Sequence, residues 1–541
     1  MDPAHPFHDG ELRAQAKAGV GDVAKWAGGF IRDYLPDQHR AFHSGLPCLV
    51  VAGGDLNGHI WVTLVDGSEG FVASPNPHLI TLATTLEASD PLASAFASGA
   101  DVGVLGIELA SRRRNRFSGH VTPSDQGYRI DIRQSFGNCP QYIHQRAWIR
   151  IPKTEHGRAQ HSRALTPSQI GRINDADTMF IGSGHQGTPG AASNGYDASH
   201  RGGAPGFVHV VDGTHLKIPD YAGNNFFNTI GNIMSDPRIG LLFVDFATGG
   251  LLHISGRATV DWHPRDAHDP DAWRMIDVEI DAVIDRPNAV GLRWENQDHL
   301  SRRLRLTRRE NETDQITSFY FEPVDHRPLA PFEAGQHLPI AVQIPGQVGL
   351  SRRSYSLSGS PAERGHYRLT VKRETQGLVS GFLHWDLRVG DMIEAQDPSG
   401  NFTMPCHRCP LVLVSAGVGQ TPMIALLHAT ATQDRAVWYV HGAANGRQHA
   451  LRGEVDRMVS AQAHLQQRVF YSDPDDEDVI GRDYDVAGRM TATDLLKLGA
   501  GPNARYMLCG PAVFLSDIRD GLETQGVPAD HIHVETFGPV A

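Results

Sequence analysis

The stretch that most limits the fold is residues 411–422, Leu-Val-Leu-Val-Ser-Ala-Gly-Val-Gly-Gln-Thr-Pro. Leu411 to Ser415 is a short apolar run of the kind that makes a buried parallel strand. Gly417 and Gly419 follow, where a tight turn needs free φ and no Cβ. Thr421 is a good helix N-cap, and Pro422 fits the first helical position because its missing N–H would be unpaired there. Met423 to Thr430 is apolar and helix-forming. Strand, glycine turn and helix N-terminus together make an anion site, since free N–H groups and the positive helix end point at a phosphate. The turn lacks the three glycines of the dinucleotide fingerprint, so by itself it also suits a purely structural strand-to-helix turn.

Its neighbours narrow the choice. Arg353-Ser354-Tyr355-Ser356, Gly377-Leu378-Val379-Ser380 and Pro398-Ser399-Gly400-Asn401-Phe402 precede it, and Cys509-Gly510-Pro511 and Glu535-Thr536-Phe537-Gly538 follow it. In this order they resemble the ferredoxin-reductase family of FAD and NAD(P)H enzymes, nearest to the reductase half of the flavohaemoglobins. The resemblance covers roughly residues 296–541. It implies that Arg353 pairs with the FAD pyrophosphate, Tyr355 packs on the flavin ring and Ser356 lies near N5. It also implies that Cys509 sits beside the nicotinamide, with Glu535 and Phe537 by the flavin. The chemistry is consistent: a guanidinium fork suits phosphate oxygens, and a hydroxyl beside N5 can stabilise charge that develops on hydride transfer. Gly377, Leu378, Val379 and Ser380 open a helix that would seat a second phosphate. Gly417, Val418, Gly419, Gln420, Thr421, His441, Gly510 and Pro511 would line the nucleotide crevice. Where flavohaemoglobins usually carry Tyr, this chain has His337.

The periodicity predicts an antiparallel barrel over 296–405, with strands at 304–309, 316–324, 336–342, 367–372 and 391–395. Over 406–541 it predicts strands at 411–415, 436–441, 468–472 and 505–509, alternating with helices at 422–431, 449–466 and 511–525. That alternation is a doubly wound parallel sheet, whose ligand lies at the carboxyl ends of its strands.

The first half reads differently. After an amphipathic helix over 21–34 come short strands at 48–52, 59–65, 70–73, 78–82, 101–110 and 116–122, the last two joined at Arg112-Arg113-Arg114-Asn115, and a strand or connector at 148–153. Strands at this density suggest a β-barrel over 1–175. A second run over 176–290 has strands at 178–182, 206–211, 215–219, 239–247 and 251–260. A shift of 137 positions brings Gly103 onto Gly240, Ser118 onto Ser255 and Gly119 onto Gly256 without a gap, which indicates an internal duplication. Residues 261–290 then lead to a linker.

The stretches Gln134-Ser135-Phe136-Gly137-Asn138, Asp197-Ala198-Ser199-His200-Arg201-Gly202-Gly203 and Gly223-Asn224-Asn225 resemble the pyridoxamine-phosphate-oxidase-like split barrels that bind FMN. That resemblance implies a pseudo-dimer in one chain, with Arg201, Gly202 and Asn224 at the flavin. A basic residue is expected after Asn224 and this chain has Asn225, an amide without charge. Arg201 or the Arg112–Arg114 cluster would then have to reach the phosphate; a solvated hairpin tip is the other reading of that cluster.

The net charge of −12 argues against nucleic acid as the main partner. Five scattered cysteines make no disulfide framework. Cys406-His407-Arg408-Cys409 has no second pair to complete a metal site, so no metal is expected. The start of the chain has no signal-peptide pattern and no run of 18 apolar residues exists, so a cytoplasmic protein without a membrane span is expected. An oligomer is compatible with all of this. Three readings follow: electrons pass from NAD(P)H, with NADH favoured, through FAD to FMN or a small oxidant in the duplicated barrel; the barrel holds haem and the activity approaches nitric oxide dioxygenation or haem degradation; or the barrel holds no cofactor and docks a separate acceptor protein.

Overall fold

The computed structural model describes residues 6–20, 23, 31–137, 142–152, 157–187, 191, 193–221, 223, 225–264, 272–297, 301–325, 327–345, 350–375, 377–405, 408–430 and 433–536. The chain divides after Gln297 into two compact units.

The first unit is mostly β. Its strands β1 (Cys48–Gly54), β2 (Ile60–Asp66), β3 (Val72–Asn76), β4 (Leu79–Leu82), β5 (Ala100–Glu108), β6 (Arg113–Ser124) and β7 (Gly127–Gly137) form an antiparallel sheet in the order β2-β1-β5-β6-β7-β4-β3. After β8 (Arg146–Arg150) and β9 (Gln160–Ser162) come β10 (Thr178–His185), β11 (Gly195–Gly202), β12 (His209–Val210), β13 (His215–Asp220), β14 (Arg238–Asp245), β15 (Gly250–Asp261) and β16 (Arg274–Arg286). Their order is β11-β10-β14-β15-β16-β13-β12, the same path strand for strand.

The repetition extends to detail. The β6–β7 ladder bulges between Ser118 and Gly119, and the β15–β16 ladder between Ser255 and Gly256, 137 positions on. A Cβ on Gly119 would lie 2.3 Å from the Asp131 carbonyl oxygen, and one on Gly256 would lie 2.2 Å from that of Glu279. Both bulges therefore need glycine. Likewise Phe71 N–H donates to Ser68 O (3.0 Å) and Phe207 N–H to Ala204 O (2.9 Å), in turns whose Gly70 and Gly206 both have positive φ.

The two sheets meet along β1, β2 and β5 of one copy and β10, β11 and β14 of the other. Val50, Val62, Leu64, Leu105, Phe180, Leu242 and Leu251 fill the seam as one buried cluster. The strand β17 (Leu292–Asn296) pairs with β8, and Trp148 faces Trp294 at the centre of that ribbon.

Several expectations change here. Residues 261–290 are not a lead into a linker: β16 takes thirteen of them, with Val278 and Ile280 inward and Glu279 and Asp281 outward. The Arg112–Asn115 cluster is no solvated tip. The turn ends at Arg112, in a left-handed conformation, and β6 begins at Arg113, whose guanidinium lies 4.7 Å over the Phe42 ring. Of the helix expected over 21–34, residues 31–34 are not helical and Arg32 bridges Ser135; most of the rest lies outside the described residues. The strand expected over 206–211 shrinks to His209–Val210.

The second unit has two sheets. The strands β18 (Arg302–Asn311), β19 (Ile316–Pro323), β20 (His337–Val342), β21 (Ser351–Ser356), β22 (Tyr367–Lys372) and β23 (Met392–Ala395) form an antiparallel sheet, β21-β20-β23-β18-β19-β22. The strands β24 (Leu411–Ala416), β25 (Val437–Ala443), β26 (Leu465–Tyr471), β27 (Val486–Ala487), β28 (Arg505–Gly510) and β29 (Ile532–Thr536) form a parallel one, β27-β26-β25-β24-β28-β29. Leu411 to Val414 are fully buried, as an apolar run covered on both faces must be. One core joins Leu304, Phe319 and Leu357 of the antiparallel sheet to Leu411, Met423 and Met507 of the parallel domain. Among the described residues no helix is long and apolar enough to cross a membrane.

Candidate functional site

In the parallel sheet β25 lies on one side of β24 and β28 on the other. The winding reverses at β24, and the crevice at the carboxyl ends of β24 and β28 is where such sheets bind ligands. The glycine turn closes one wall of it. Gly417–Gly419 is a single 3-10 turn, Gly417 has φ +55°, and the helix Gln420–Thr430 follows directly. A Cβ on Gly419 would sit 2.3 Å from the Cys509 carbonyl oxygen and 2.7 Å from Gly510 Cα. Only glycine lets the turn touch the end of β28, so the turn and Cys509-Gly510-Pro511 form one continuous edge.

Thr421 is not the N-cap that the sequence suggests. The helix starts one residue earlier, and the Thr421 hydroxyl donates to the Val418 carbonyl (3.1 Å), tightening the turn. Pro422 still falls in the first turn, where a missing N–H is harmless. Gln420 is buried at the helix start. Its Oε1 accepts from the Tyr439 hydroxyl (3.2 Å), and its Nε2 has no acceptor among the described residues. A buried amide donor at a helix N-terminus suits an anionic or acceptor-rich ligand.

Cys509 is fully buried, and burial, then the nearby Glu535 carboxyl, push its thiol well above the ordinary range. It packs as a neutral thiol. Glu535 stands opposite it in the β28–β29 ladder, with its carboxyl raised by burial to about 7. Behind the crevice Ser415 Oγ lies 2.9 Å from His441 Nδ1, and the His441 ring lies 4.8 Å from that of His449. Burial holds both imidazoles neutral. Sequence reading placed His441 at a strand end and missed His449, which the fold brings beside it from eight residues further on.

The antiparallel sheet supplies the other wall. Arg353 and Tyr355 share a face of β21, and Ser356 is buried opposite His337 on β20. Burial raises the Tyr355 hydroxyl, with Arg353 and Glu374 as its charged neighbours. Glu374 belongs to the loop that ends at Gly377, and its N–H donates to Ser380 Oγ (3.2 Å), while that hydroxyl donates to Gly377 O (3.1 Å). Ser380 thus shapes the turn from which the helix Leu378–Trp385 starts. That helix packs on β21, and the Gly417–Gly419 turn packs on β22. His337 Nε2 lies 3.2 Å from Ser399 Oγ, fastening the sheet to the 398–402 loop.

Arg353, Tyr355, Ser356 and Gly377 to Ser380 therefore lie on elements of one wall, and Gly417 to Thr421, Cys509, Gly510 and Glu535 on the other. Phe537 lies outside the described residues. In the first unit Arg201 donates to Asp220 (2.6 Å), a carboxylate it shares with Arg274. A Cβ on Gly202 would meet the Tyr142 carbonyl oxygen at 2.0 Å. Asn224 lies outside the described residues. Asn225 has φ +59°, a conformation an Asn tolerates better than a long basic residue would.

Residues 303–404 match the family model of the oxidoreductase FAD-binding domain, and residues 413–520 that of the oxidoreductase NAD-binding domain. The flavohemoprotein of Deinococcus radiodurans is 39% identical over 240 residues, covering 44% of this chain and 59% of that protein. That of Rhizobium meliloti is 40% identical over 245 residues, covering 44% and 60%. Among solved structures, the flavohem-like FAD/NAD-binding domain of nitric oxide dioxygenase from Vibrio cholerae is 31% identical, with a TM-score of 0.40, over 44% of this chain and 99% of that one. The chain spans about 60% of the length of these curated relatives. Residues 303–404 and 413–520 are thus FAD- and NAD-binding oxidoreductase domains, a ferredoxin-reductase-type module akin to the reductase part of the flavohaemoglobins.

Proposed function

We propose that the whole chain is an NAD(P)H-dependent flavoprotein oxidoreductase that delivers electrons to an acceptor held by the duplicated first unit, FMN or a small oxidant. The observation that carries the reading is the pairing of two walls in the second unit with a first unit built twice on one topology. We read that first unit as a duplicated split barrel. FAD, when bound, supplies a centre that accepts a hydride and passes electrons on.

The protein's own groups do the rest. Arg353 offers a guanidinium to a pyrophosphate, and the helix start at Gly377 to Ser380 offers N–H groups to the same charge. Tyr355 presents an aromatic face, and Ser356 a buried hydroxyl. The Gly417–Gly419 turn admits a second dinucleotide close to backbone, with Gln420 Nε2 as a donor toward it. Cys509 keeps the crevice apolar and excludes water beside the nicotinamide. Glu535 holds or releases a proton near neutral pH at the same place.

Anaerobic titration with NADH and with NADPH tests the first half of this reading: flavin absorbance should bleach, with NADH the more effective. Chromatography of the released flavins tests the second. FAD and FMN near one to one supports an internal acceptor; FAD alone, with no electron uptake by the first unit, sinks it.

A further inference from the structure

The two copies of the first unit repeat their backbones but not their seams. Three offsets bear on the seam: 136 positions at the Gly67 and Gly203 turns, 137 at β6 and β15, and 146 at β8 and β17. The last also superposes Tyr142 on Asn288, both left-handed. At these offsets β11 with β6 on one side of the seam corresponds to β2 with β15 on the other.

On the first side the positions are basic. His200 lies on β11 with its Nδ1 3.1 Å from a guanidinium nitrogen of Arg114 on β6. A guanidinium only donates, so Nδ1 accepts and the proton sits on Nε2. That Nε2–H is buried, on a residue 5% exposed, with no acceptor among the described residues. Its charged neighbours are Arg114, His144, Arg201 and Arg146, all basic. The nearby carboxylates are engaged: Asp177 with Arg146 (2.6 Å), and Asp220 with Arg201 and Arg274. Arg201 Nε is a second buried donor without an acceptor among the described residues.

On the second side each of these has an apolar counterpart. Leu251 stands for Arg114, Leu64 for His200 and Val65 for Arg201. Val290 stands for His144 and Leu292 for Arg146. Leu64, Leu251, Val290 and Leu292 are buried together in one cluster, and the cavity left beside Leu64 and Phe180 is about 20 Å³, scarcely one water.

We propose that the first unit holds one site per chain for a phosphate-bearing anion, on His200 and Arg114 at the seam, and that its pseudo-equivalent has been closed into core. His200 Nε2 and Arg201 Nε, two buried donors without acceptors among the described residues, are costly unless an acceptor-rich ligand satisfies them. Leucines at the matching positions remove both the cost and the site. The inference rests on the reading of the first unit as an FMN-type acceptor domain only for what the phosphate is attached to.

Calorimetric titration of the full-length, FAD-loaded protein with FMN, riboflavin and inorganic phosphate tests it. The expected result is one FMN per chain, with riboflavin weaker by about tenfold or more. His200→Leu and Arg114→Leu, which copy the closed side, should each weaken FMN at least as much. Arg114→Gln, a milder change, should do so with an unchanged melting temperature. Two FMN per chain, riboflavin as tight as FMN, or binding indifferent to these variants would overturn the proposal, as would no binding of FMN or phosphate. Inorganic phosphate at one per chain, lost in Arg114→Gln while FMN does not bind, would uphold this site and sink the FMN reading.

Discussion

Glu535 faces Cys509 directly across the parallel ladder between β29 and β28, a carboxyl and a thiol both kept protonated by burial at mildly acid pH. The Glu535 carboxyl is raised from its ordinary value to about 7. A nicotinamide that loses hydride becomes a cation, which an ionised Glu535 favours. Flavin reduction by NADH, followed by stopped flow, should therefore quicken as pH rises through about 7, and Glu535→Gln should flatten that profile. For stability the sign is opposite. The native state holds the proton more tightly than the unfolded chain, so stability falls as pH rises from the ordinary carboxylate range toward 7. Glu535→Gln should remove that fall in urea titrations.

Gly419→Ala should damage nucleotide binding selectively. Its Cβ would meet backbone atoms of Cys509 and Gly510, which cannot rotate away. Either the ends of β24 and β28 spread or the turn is lost, at about 1–3 kcal/mol. The KM for the nucleotide should rise about tenfold or more while FAD content is retained. A turn that merely linked strand to helix would show the stability loss without the KM effect.

Arg368 on β22 grips Glu454 through two hydrogen bonds (2.7 and 3.0 Å), and His428 Nε2 lies 2.6 Å from the same carboxylate. Burial disfavours the charge, yet His428 and Arg368 hold the Glu454 carboxyl down at about 2. The stability from this depression is fully present above the ordinary carboxylate pKa and is lost as pH falls toward 2. Glu454→Gln should cost about 3 kcal/mol at pH 7 by leaving the buried Arg368 uncompensated. The gap between variant and parent should narrow by pH 3 in urea unfolding followed by fluorescence.

Glu11 illustrates the reverse case. It is buried under the helix Asn228–Ser235 and accepts from His8 N–H (2.9 Å) and from the Asn228 amide. Burial and then Asp197 raise its carboxyl to about 8. Stability falls as pH climbs from the ordinary range toward 8, because the unfolded chain gives up the proton more readily. Thermal unfolding of Glu11→Gln should improve relative to the parent steadily between pH 5 and pH 8.

The parallel sheet was largely legible where its strands are apolar runs: β24 begins Leu-Val-Leu-Val and is buried from Leu411 to Ser415. Ordered motifs named candidate residues without their geometry, so the helix start at Gln420 and the hydrogen bond of Thr421 to Val418 came only with the structure. The strand β29 escaped periodicity because His533 and Glu535 interrupt it. In the first unit β11 escaped for a related reason. Asp197, His200 and Arg201 are polar residues at a buried seam, and a polar strand at a seam looks like a loop. The duplication showed only where one offset holds without a gap, over β5 and β6. Loops of different length between the copies shift the other strands by 130, 136, 146 or 148 positions and hide them from a single comparison.

The ribbon in which Trp148 meets Trp294 has a consequence for synthesis. Its two strands are separated by 141 residues, from Arg150 to Leu292. When β8 leaves the ribosome its partner has not been made, and at about 5–20 residues per second the wait is of the order of ten seconds. For that interval the first copy carries an unpaired strand edge and a bare tryptophan, the features through which nascent chains associate wrongly. The charge of Arg150, exposed two residues beyond Trp148 on that strand, is placed where it discourages edge-to-edge pairing until β17 arrives.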